Sequence, residues 1–313
     1  MSITVLKAGL QTTIQSRPRS GMRHLGVPAS GAADLLSLAL ANNLVGNAWD
    51  AAALECTLLG PTLRFNSDCA FALVGATMAI ELNGISLGPH ATCFAAADDV
   101  LVIGAATQGA RMYLAVAGGI VADDVLGATS TYIPAALGGL EGRALIAGDE
   151  LTYNGGTPVA AVTPAEFRPP ISSGWAMRAC EAQEYSLLDT DSQQSLFGSN
   201  WQVDQRADRM GSRLAGGELH VESDGRMPSA AVFPGTVQCP EDGAPYLLSV
   251  DAGTVGGYPR VAQVARVDRH LLGQLRPGDH LRFLRREPDA ALAELHEKHA
   301  YWQRWLPDAA RIM

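Results

Sequence analysis

The stretch Gly235–Pro259 reads Gly-Thr-Val-Gln-Cys-Pro-Glu-Asp-Gly-Ala-Pro-Tyr-Leu-Leu-Ser-Val-Asp-Ala-Gly-Thr-Val-Gly-Gly-Tyr-Pro. Its middle, Tyr246–Val250, is a short apolar run between turn residues, which predicts a buried strand. The glycine-rich segment that follows, Asp251–Tyr258, can bring its backbone N–H groups close to a ligand because glycine lacks a Cβ atom. A strand that ends in such a loop is typical of a small-molecule pocket, and it is equally typical of a β-bulge with a tight turn.

The polar groups of this loop suit a small amide or ureido group, whose oxygen accepts hydrogen bonds and whose N–H donates them. Backbone amides in the loop are the candidate donors, and they could stabilise negative charge that develops on the substrate oxygen. The predicted catalytic residues are Asp251, Thr254 and Tyr258, and the predicted substrate-binding residues of this stretch are Gln238, Gly256 and Gly257.

Composition limits the class of protein. The chain has 313 residues, enough for one large or two ordinary domains, and 47% of them are hydrophobic, which allows a sizeable core. A net charge of −9 argues against nucleic acid or an anionic membrane as the main partner. The two lysines, Lys7 and Lys298, lie near the chain ends, which disfavours a Schiff base, a P-loop lysine or a biotinylated lysine.

The sequence predicts a cytoplasmic protein without a metal site. No uncharged apolar run reaches the roughly 18 residues of a membrane helix, and the N-terminal segment lacks the apolar core of a signal peptide. The five cysteines are scattered and lack CxxC spacing. Free thiols in a reducing compartment are therefore expected, without a disulfide framework.

Most of the remaining chain is predicted to be β structure. Between Leu63 and Val116, short runs of β-branched and aliphatic residues alternate with turn residues, which indicates a barrel or a sandwich. Leu35–Leu44 is predicted to be an amphipathic helix capped by Asp34. Residues 288–306 are predicted to form a second amphipathic helix whose apolar face carries Leu292, Leu295, Trp302 and Leu306.

A weakly repeated sequence pattern suggests two related β domains. Asp99, Asp149 and Asp279 each stand in a turn just before an apolar strand, and the last two close segments of similar length. The alternative is that such turns are simply common in β proteins. With the seam in the proline-rich stretch Thr157–Pro170, the predicted organisation is residues 1–165 and 166–287 as β domains and residues 288–313 as a helical tail.

Three further positions outside the loop are candidate substrate-binding residues. Glu55 lies in an apolar strand, where a carboxylate needs a partner, and a structural ion pair with an arginine is the plainer interpretation. Arg209, with Arg206 and Arg213, could bind a carboxylate or phosphate, unless Asp204 and Asp208 neutralise these arginines locally. His24 lies in a first loop rich in glycine and proline.

Several segments together resemble one known family. It is the allophanate-hydrolase-subunit-2 family, also called KipA, the biotin-dependent carboxyltransferase family or the C component of the ATP-dependent 5-oxoprolinase. The segments occur in family order over nearly the whole chain: Arg23–Asp34, Leu40–Asn47, Leu54–Pro61, Ser130–Tyr132, Asp208–Leu214 and Gly256–Pro259. Through these motifs the resemblance adds Ser30, Pro259 and the adjacent Arg260 to the predicted substrate-binding residues.

The resemblance implies a mainly β fold of two cyclophilin-like β-barrel domains with a few short helices and a C-terminal helix. It implies a KipI-like subunit 1, similar to the B component of 5-oxoprolinase, as partner, and a LamB/YcsF-like protein, the A component, as a further one. It also implies no covalently bound cofactor, with ATP or carboxybiotin supplied through a partner. The substrates of such complexes, 5-oxoproline, urea and allophanate, all contain an N–C=O unit.

The chain departs from the family pattern at polar positions. Arg260 stands where the family usually has lysine, and an arginine cannot lose its proton as a lysine can, so a base role there is lost. Ala252 and Gly253 replace polar residues, Thr129 replaces an arginine, and residues 181–184 replace a Gly-Pro-Gln element. Substrate or activity is therefore expected to have changed more than the fold.

Two functions follow from the sequence, in different classes. The first is an enzyme subunit, either an amide hydrolase of the 5-oxoprolinase type or a carboxyltransferase, acting on a small N–C=O substrate. The alternative is a KipA-like regulatory protein that binds a KipI-like partner without catalysis, and a tail with Trp302 and Trp305 that looks exposed favours it. Binding of free biotin or carboxybiotin without transfer is a third, weaker option.

Overall fold

The computed structural model describes residues 1–157, 159–222 and 227–313. The chain forms two compact units. Unit 1 comprises Met1–Arg19, Ser30–Ile171 and Trp302–Ile312, and unit 2 comprises Ser20–Ala29, Ser172–Tyr301 and Met313. Pro158, in the predicted seam, lies outside the described residues, and the predicted boundaries near residues 165 and 287 stay predictions.

Unit 1 is built on one nine-stranded antiparallel sheet. Its main path runs β2-β3-β8-β4-β1-β9, and β5 pairs with β6, β7 and β8. The strands are β1 (Ser2–Lys7), β2 (Gln11–Gln15), β3 (Ala53–Thr57), β4 (Thr62–Phe65), β5 (Cys69–Leu82), β6 (Ile85–Ser86), β7 (Thr92–Ala95), β8 (Val100–Val116) and β9 (Glu150–Thr152).

Two long strands replace most of the short runs that the sequence predicts between Leu63 and Val116, although the first run is confirmed as β4. Strands β5 and β8 pair along most of their length, with register shifts near Gly75, Thr77 and Met78. Such bulges bend a strand and increase its twist without ending it. Gly75 has φ 129°, and a Cβ atom there would lie 2.3 Å from the backbone oxygen of Arg111, so only glycine fits this bend.

Helix α1 (Leu35–Leu44) packs on β5 and β8 within unit 1. Its predicted cap is confirmed, because the Asp34 carboxylate accepts the Ser37 N–H at 3.0 Å. The prediction of an amphipathic helix is wrong, since α1 is buried almost all round, including Ser37 and Asn42. Asn42 is compatible with burial because its amide donates to the Ala51 carbonyl at 2.9 Å.

Unit 2 contains a closed seven-stranded barrel in the order β10-β17-β14-β15-β12-β11-β18, and a separate ribbon of β13 and β16. Neighbouring barrel strands are antiparallel except β10 and β18, which are parallel and close the barrel. The strands are β10 (Gly174–Glu181), β11 (Trp201–Val203), β12 (Gly211–Ala215), β13 (Ala230–Ala231), β14 (Thr236–Gln238), β15 (Tyr246–Leu248), β16 (Val255–Gly256), β17 (Arg260–Val264) and β18 (His280–Arg285).

The barrel interior is filled by the alternate side chains of its strands, as in β10, where buried and less buried positions alternate. Buried residues in it include Met177, Trp201, Leu214, Val237, Val261 and Phe283. Helix α2 is Thr190–Gly198, and the 3₁₀ helices of the chain are Arg23–Leu25, Ile133–Ala135, Ala165–Phe167, Tyr185–Leu187 and Arg266–Gln274. The prediction of a mainly β chain with two barrel-like domains is confirmed by this sheet and barrel.

The three turn aspartates share one local hydrogen bond. Asp99 and Asp149 each accept the backbone N–H of the residue three positions earlier at 2.8 Å, and Asp279 does so at 3.2 Å. A carboxylate in this position closes a tight turn before a strand. Turn chemistry alone therefore accounts for the shared pattern, and the duplication of a β domain stays a prediction.

The C-terminal residues form α3 (Pro288–Trp302) and α4 (Ala309–Ile312). Leu295, Trp302 and Leu306 are buried, but the placement of Leu292 on the apolar face is wrong, because its side chain is 51% exposed. The expectation of exposed tryptophans is also wrong, since the Trp302 ring lies 5.6 Å from that of Phe167, within unit 1. No helix in the described part of the chain is long and apolar enough to span a membrane.

Trp302→Ala should lower the free energy of unfolding by about 3–5 kcal/mol, because it empties the space that the ring fills against Phe167. Leu292→Ala, on the exposed side of the same helix, is the matched control and should change stability by less than about 0.5 kcal/mol. Urea unfolding followed by circular dichroism measures both. Equal losses in the two variants would contradict the packing described for Trp302.

Candidate functional site

The centre of the candidate site in unit 2 is a buried ion pair between Asp251 and Arg209. The Arg209 guanidinium donates to the two Asp251 carboxylate oxygens over 2.7 and 3.0 Å, and the Asp251 N–H donates to the Arg209 carbonyl at 2.8 Å. Both residues are buried. Because both carboxylate oxygens are hydrogen-bonded, the pair offsets the free-energy cost of desolvating its two charges. It also fixes the start of the loop that follows β15.

The aspartates nearest to Arg209 in sequence have other roles. Asp208 accepts the backbone N–H groups of Met210 and Gly211, and Asp204 accepts that of Arg206. Arg209 itself is paired with Asp251, which is distant in sequence. The expectation of local neutralisation is therefore wrong for Arg209, because both carboxylates accept backbone N–H groups of local turns. It holds for Arg206, whose Nε atom lies 3.7 Å from an Asp204 oxygen.

Further along the loop, β16 approaches the side chain of Gln238. The Gln238 amide donates to the Tyr258 carbonyl at 3.2 Å. A Cβ atom on Gly256 would lie 2.6 Å from the Gln238 Nε2 atom, so glycine is needed for this approach. Thr254 is buried, and its carbonyl accepts the N–H of Val232 at 3.2 Å, which holds β16 beside β13.

The loop also presents backbone donors. Among residues 1–157, 159–222 and 227–313, the N–H groups of Gly257 and Tyr258 donate to no acceptor. Two successive amides without an acceptor in this part of the chain are candidate donors for an anion or a polarised carbonyl. Gly257 and Tyr258 are thus the candidate donors of the glycine-rich stretch, and their binding role stays a prediction.

A cavity of about 350 Å³ opens beside these amides in unit 2. Gly257, Tyr258 and Pro259 line one side of it, and His220 and Glu241 add polar groups. The volume suits a small molecule with few polar groups. Another wall residue, Cys239, is buried, and this burial raises the pKa of its thiol to about 11, so the thiol is protonated and unreactive.

Arg260 follows the loop directly and is engaged within unit 2. Its guanidinium makes a two-pronged contact with the Glu184 carboxylate, with hydrogen bonds of 2.8 and 2.6 Å. The arginine lowers the pKa of that carboxyl group through these hydrogen bonds. Glu184 lies in the segment that departs from the family pattern, and no local sequence pattern indicates that it contacts Arg260.

In unit 1 the candidate residue Glu55 lies in a fully buried network. Its carboxylate accepts the Ala33 N–H at 2.9 Å and the Tyr113 hydroxyl at 2.7 Å. The Arg111 Nε atom lies 3.2 Å from its other oxygen, which bears out the ion-pair interpretation. The Tyr113 hydroxyl in turn accepts the Asp34 N–H at 2.8 Å. Burial and then the Glu55 charge raise the pKa of Tyr113, so the hydroxyl stays protonated and donates to Glu55.

The two remaining candidates lie in different units. Ser30, in unit 1, is buried, has φ 53° and donates to the Thr131 carbonyl at 3.2 Å. His24, in unit 2, is exposed in the 3₁₀ helix Arg23–Leu25. The structure therefore groups Arg209, Gln238 and the residues from Asp251 to Arg260 in one unit, and their functional roles stay predictions.

Two contact residues were not predicted. Tyr113 stands inside an apolar run and Glu184 inside an irregular polar one, so neither has a local pattern that marks it. Their partners lie 58 and 76 positions away in sequence. Only the strand pairing brings them together, although an isolated tyrosine in a buried strand does signal a hydrogen-bonding partner.

Comparison with known proteins decides the family. The model of the carboxyltransferase domain, subdomains A and B, matches residues 25–285. The chain belongs to this carboxyltransferase domain family. The resemblance seen in the sequence motifs is thereby confirmed, and the matched range includes every candidate site residue of unit 2 except His24.

The relatives include bacterial and fungal proteins. The chain is 36% identical to the C component of 5-oxoprolinase from Escherichia coli over 96% of both chains. It is 31% identical to the urea amidolyase of Lachancea kluyveri, over 94% of this chain and 18% of that protein. The crystal structure of the Kluyveromyces lactis urea carboxylase superposes with a TM-score of 0.91 at 28% identity, over 96% of this chain and 29% of that one. The chain thus spans less than a third of either fungal protein.

Tyr113→Phe should lower the free energy of unfolding by about 1–3 kcal/mol, because it leaves the buried Glu55 carboxylate and the Asp34 N–H each without one hydrogen bond. Tyr258→Phe removes a hydroxyl from a side chain that is half exposed and should change stability by less than about 0.5 kcal/mol. Chemical denaturation at neutral pH measures both. A Tyr113→Phe variant as stable as the control would contradict the network.

Proposed function

We propose that this chain is one component of a multi-protein enzyme that opens a small cyclic amide, with 5-oxoproline as substrate. The observation that carries the proposal is 36% identity over 96% of both chains to the C component of a 5-oxoprolinase. That relative is named as one of several subunits, which implies further proteins in the assembly. We propose a KipI-like and a LamB/YcsF-like protein as these partners, in the cytoplasm.

The loop after β15 supplies the proposed substrate contacts. Each Asp251 oxygen accepts a hydrogen bond from Arg209 and keeps a second lone pair, which can accept the N–H of the substrate. The amides of Gly257 and Tyr258, which have no acceptor in the described part of the chain, are donors for the substrate carbonyl oxygen. Thr254 and Gln238 hold this loop, and through it the donors, in place.

These groups match the charge that ring opening develops. Addition of one water molecule to the carbonyl carbon and cleavage of the C–N bond convert 5-oxoproline into glutamate. Negative charge builds on the carbonyl oxygen in the transition state, where backbone N–H groups that are already oriented stabilise it. In this proposal ATP drives the reaction and reaches the site through a partner.

Carboxyl transfer is the second candidate. The family model and the superposition on a urea carboxylase favour it. In that case carboxybiotin carried by a partner would give its carboxyl group to a urea-type nitrogen, which the same acceptor and donors would hold. The regulatory alternative gains no support, because the relatives named above are enzymes or a component of one.

Reconstitution of the full chain with the KipI-like and LamB/YcsF-like proteins tests the first candidate. Glutamate formation from 5-oxoproline should require all three proteins and ATP. A complete assembly that forms no glutamate would overturn the proposal. Transfer from carboxybiotin to urea by the same chain, with the appropriate biotin-carrying partner, would establish the second candidate instead.

Asp251→Asn should lower kcat/KM of the active assembly at least about 10²-fold, because it removes the charged acceptor for the substrate N–H. Since this change also removes the charge of Asp251 from beside Arg209, thermal unfolding of the variant is measured alongside. Gln238→Leu is a milder second variant and should lower kcat/KM about tenfold, because it removes the amide that donates to the Tyr258 carbonyl and holds the loop. A folded Asp251→Asn variant with normal kinetics would remove Asp251 from the mechanism.

A further inference from the structure

Glu184 and Arg260 are joined by hydrogen bonds of both backbone and side chain. The Arg260 N–H donates to Glu184 Oε2 at 3.0 Å, and the Glu184 N–H donates to the Arg260 carbonyl at 3.0 Å. The guanidinium adds the two bonds of 2.8 and 2.6 Å described above. Charge-assisted pairs with two parallel bonds are the most directional of the protein ion pairs.

The third guanidinium nitrogen of Arg260 contacts the strand that lies beside the loop. Arg260 Nη1 donates to the Ala231 carbonyl at 3.0 Å. Ala231 lies in β13, which pairs with β16 through the register Ala231 to Val255. One guanidinium therefore connects the turn after β10, the start of β17 and the ribbon that carries the glycine-rich loop.

The charged groups of Glu184 and Arg260 are largely inaccessible to a ligand. The two side chains are 22% and 12% exposed, for Arg260 and Glu184 respectively. Nε, Nη1 and Nη2 of the arginine each already donate to an oxygen of unit 2. An arginine engaged in this way stabilises a loop as a structural clamp. A substrate-binding arginine would instead direct its guanidinium N–H groups into a cavity.

We propose that Glu184 and Arg260 are positioning residues that hold Gly257–Pro259 as the wall of the cavity in unit 2. Two adjacent glycines make this loop costly to order, so its donors are useful only if its ends are fixed. Asp251 fixes one end through Arg209, and Arg260 fixes the other through Glu184. The consequence for catalysis rests on the proposed function; the ordering of the loop does not.

Residue-resolved hydrogen exchange tests the ordering on the full chain. The amides of Val232 and Cys239 report on it, because they donate to the carbonyls of Thr254 and Pro259. Glu184→Gln keeps the size of the side chain but removes its charge and one acceptor, so both amides should exchange about tenfold faster. Arg260→Lys keeps the charge but lacks the planar guanidinium that makes two parallel hydrogen bonds, and it should have the same effect.

Glu181→Gln is the matched control. It removes the same charge at the end of β10, close to Glu184 in sequence, but its partner Arg285 is half exposed and has no contact with the loop among the described residues. Exchange at Val232 and Cys239 should stay at the wild-type rate. Unchanged exchange in Glu184→Gln, or an equal rise in the control, would overturn the proposal.

Kinetics separate this proposal from the proposed function. In an active assembly, Glu184→Gln should lower kcat/KM about tenfold at a temperature well below unfolding, and Glu181→Gln should not. Faster exchange with unchanged kcat/KM would overturn the role of the clamp in the site. If the wild-type assembly has no turnover, the proposed function fails, and the exchange measurements alone still decide whether the pair positions the loop.

Discussion

A buried carboxylate needs a counterion or compensating hydrogen bonds, and each unit of this chain contains a buried carboxylate that pairs with an arginine in a loop-fixing position. Glu55 lies beside Arg111 in unit 1, and Asp251 is held by Arg209 in unit 2. Both pairs also engage backbone N–H groups, of Ala33 in the first case and of Asp251 itself in the second. The charges therefore fix irregular chain segments, which the hydrophobic core alone does not order.

The same constraint explains the arginine-rich segment around β12. Its arginines face different carboxylates, Arg209 the buried Asp251 and Arg213 the more exposed Asp242. Exposed pairs of this kind contribute little, about 0–1 kcal/mol, whereas loss of one partner of the buried pair costs several times more. Proximity in sequence favours Asp208 as the partner of Arg209, but the Asp208 carboxylate already accepts the N–H groups of its own turn.

The regular parts of the fold could be predicted from the sequence because they depend on local patterns. The cap at Asp34, the turn acids such as Asp149 and the strand at Tyr246 are all set by neighbours within a few positions. The length of β5 and β8 was not predictable, because a bulge near Gly75 continues a strand where the sequence signals a break. The contacts of Tyr113 and Glu184 depend on pairing between distant strands, which one sequence does not reveal.

The contacts of Arg260 explain the role of a residue that departs from the family pattern. In the sequence it stands as a lost lysine and hence as a lost base. In the structure its donors are engaged by Glu184 and Ala231, so the position has become part of the framework of unit 2. Under the proposed function, recognition by the loop then depends on neutral backbone donors and on one carboxylate, Asp251. Because the Arg209 guanidinium neutralises Asp251, this ion pair adds no net charge to the proposed site, which suits an uncharged N–C=O group.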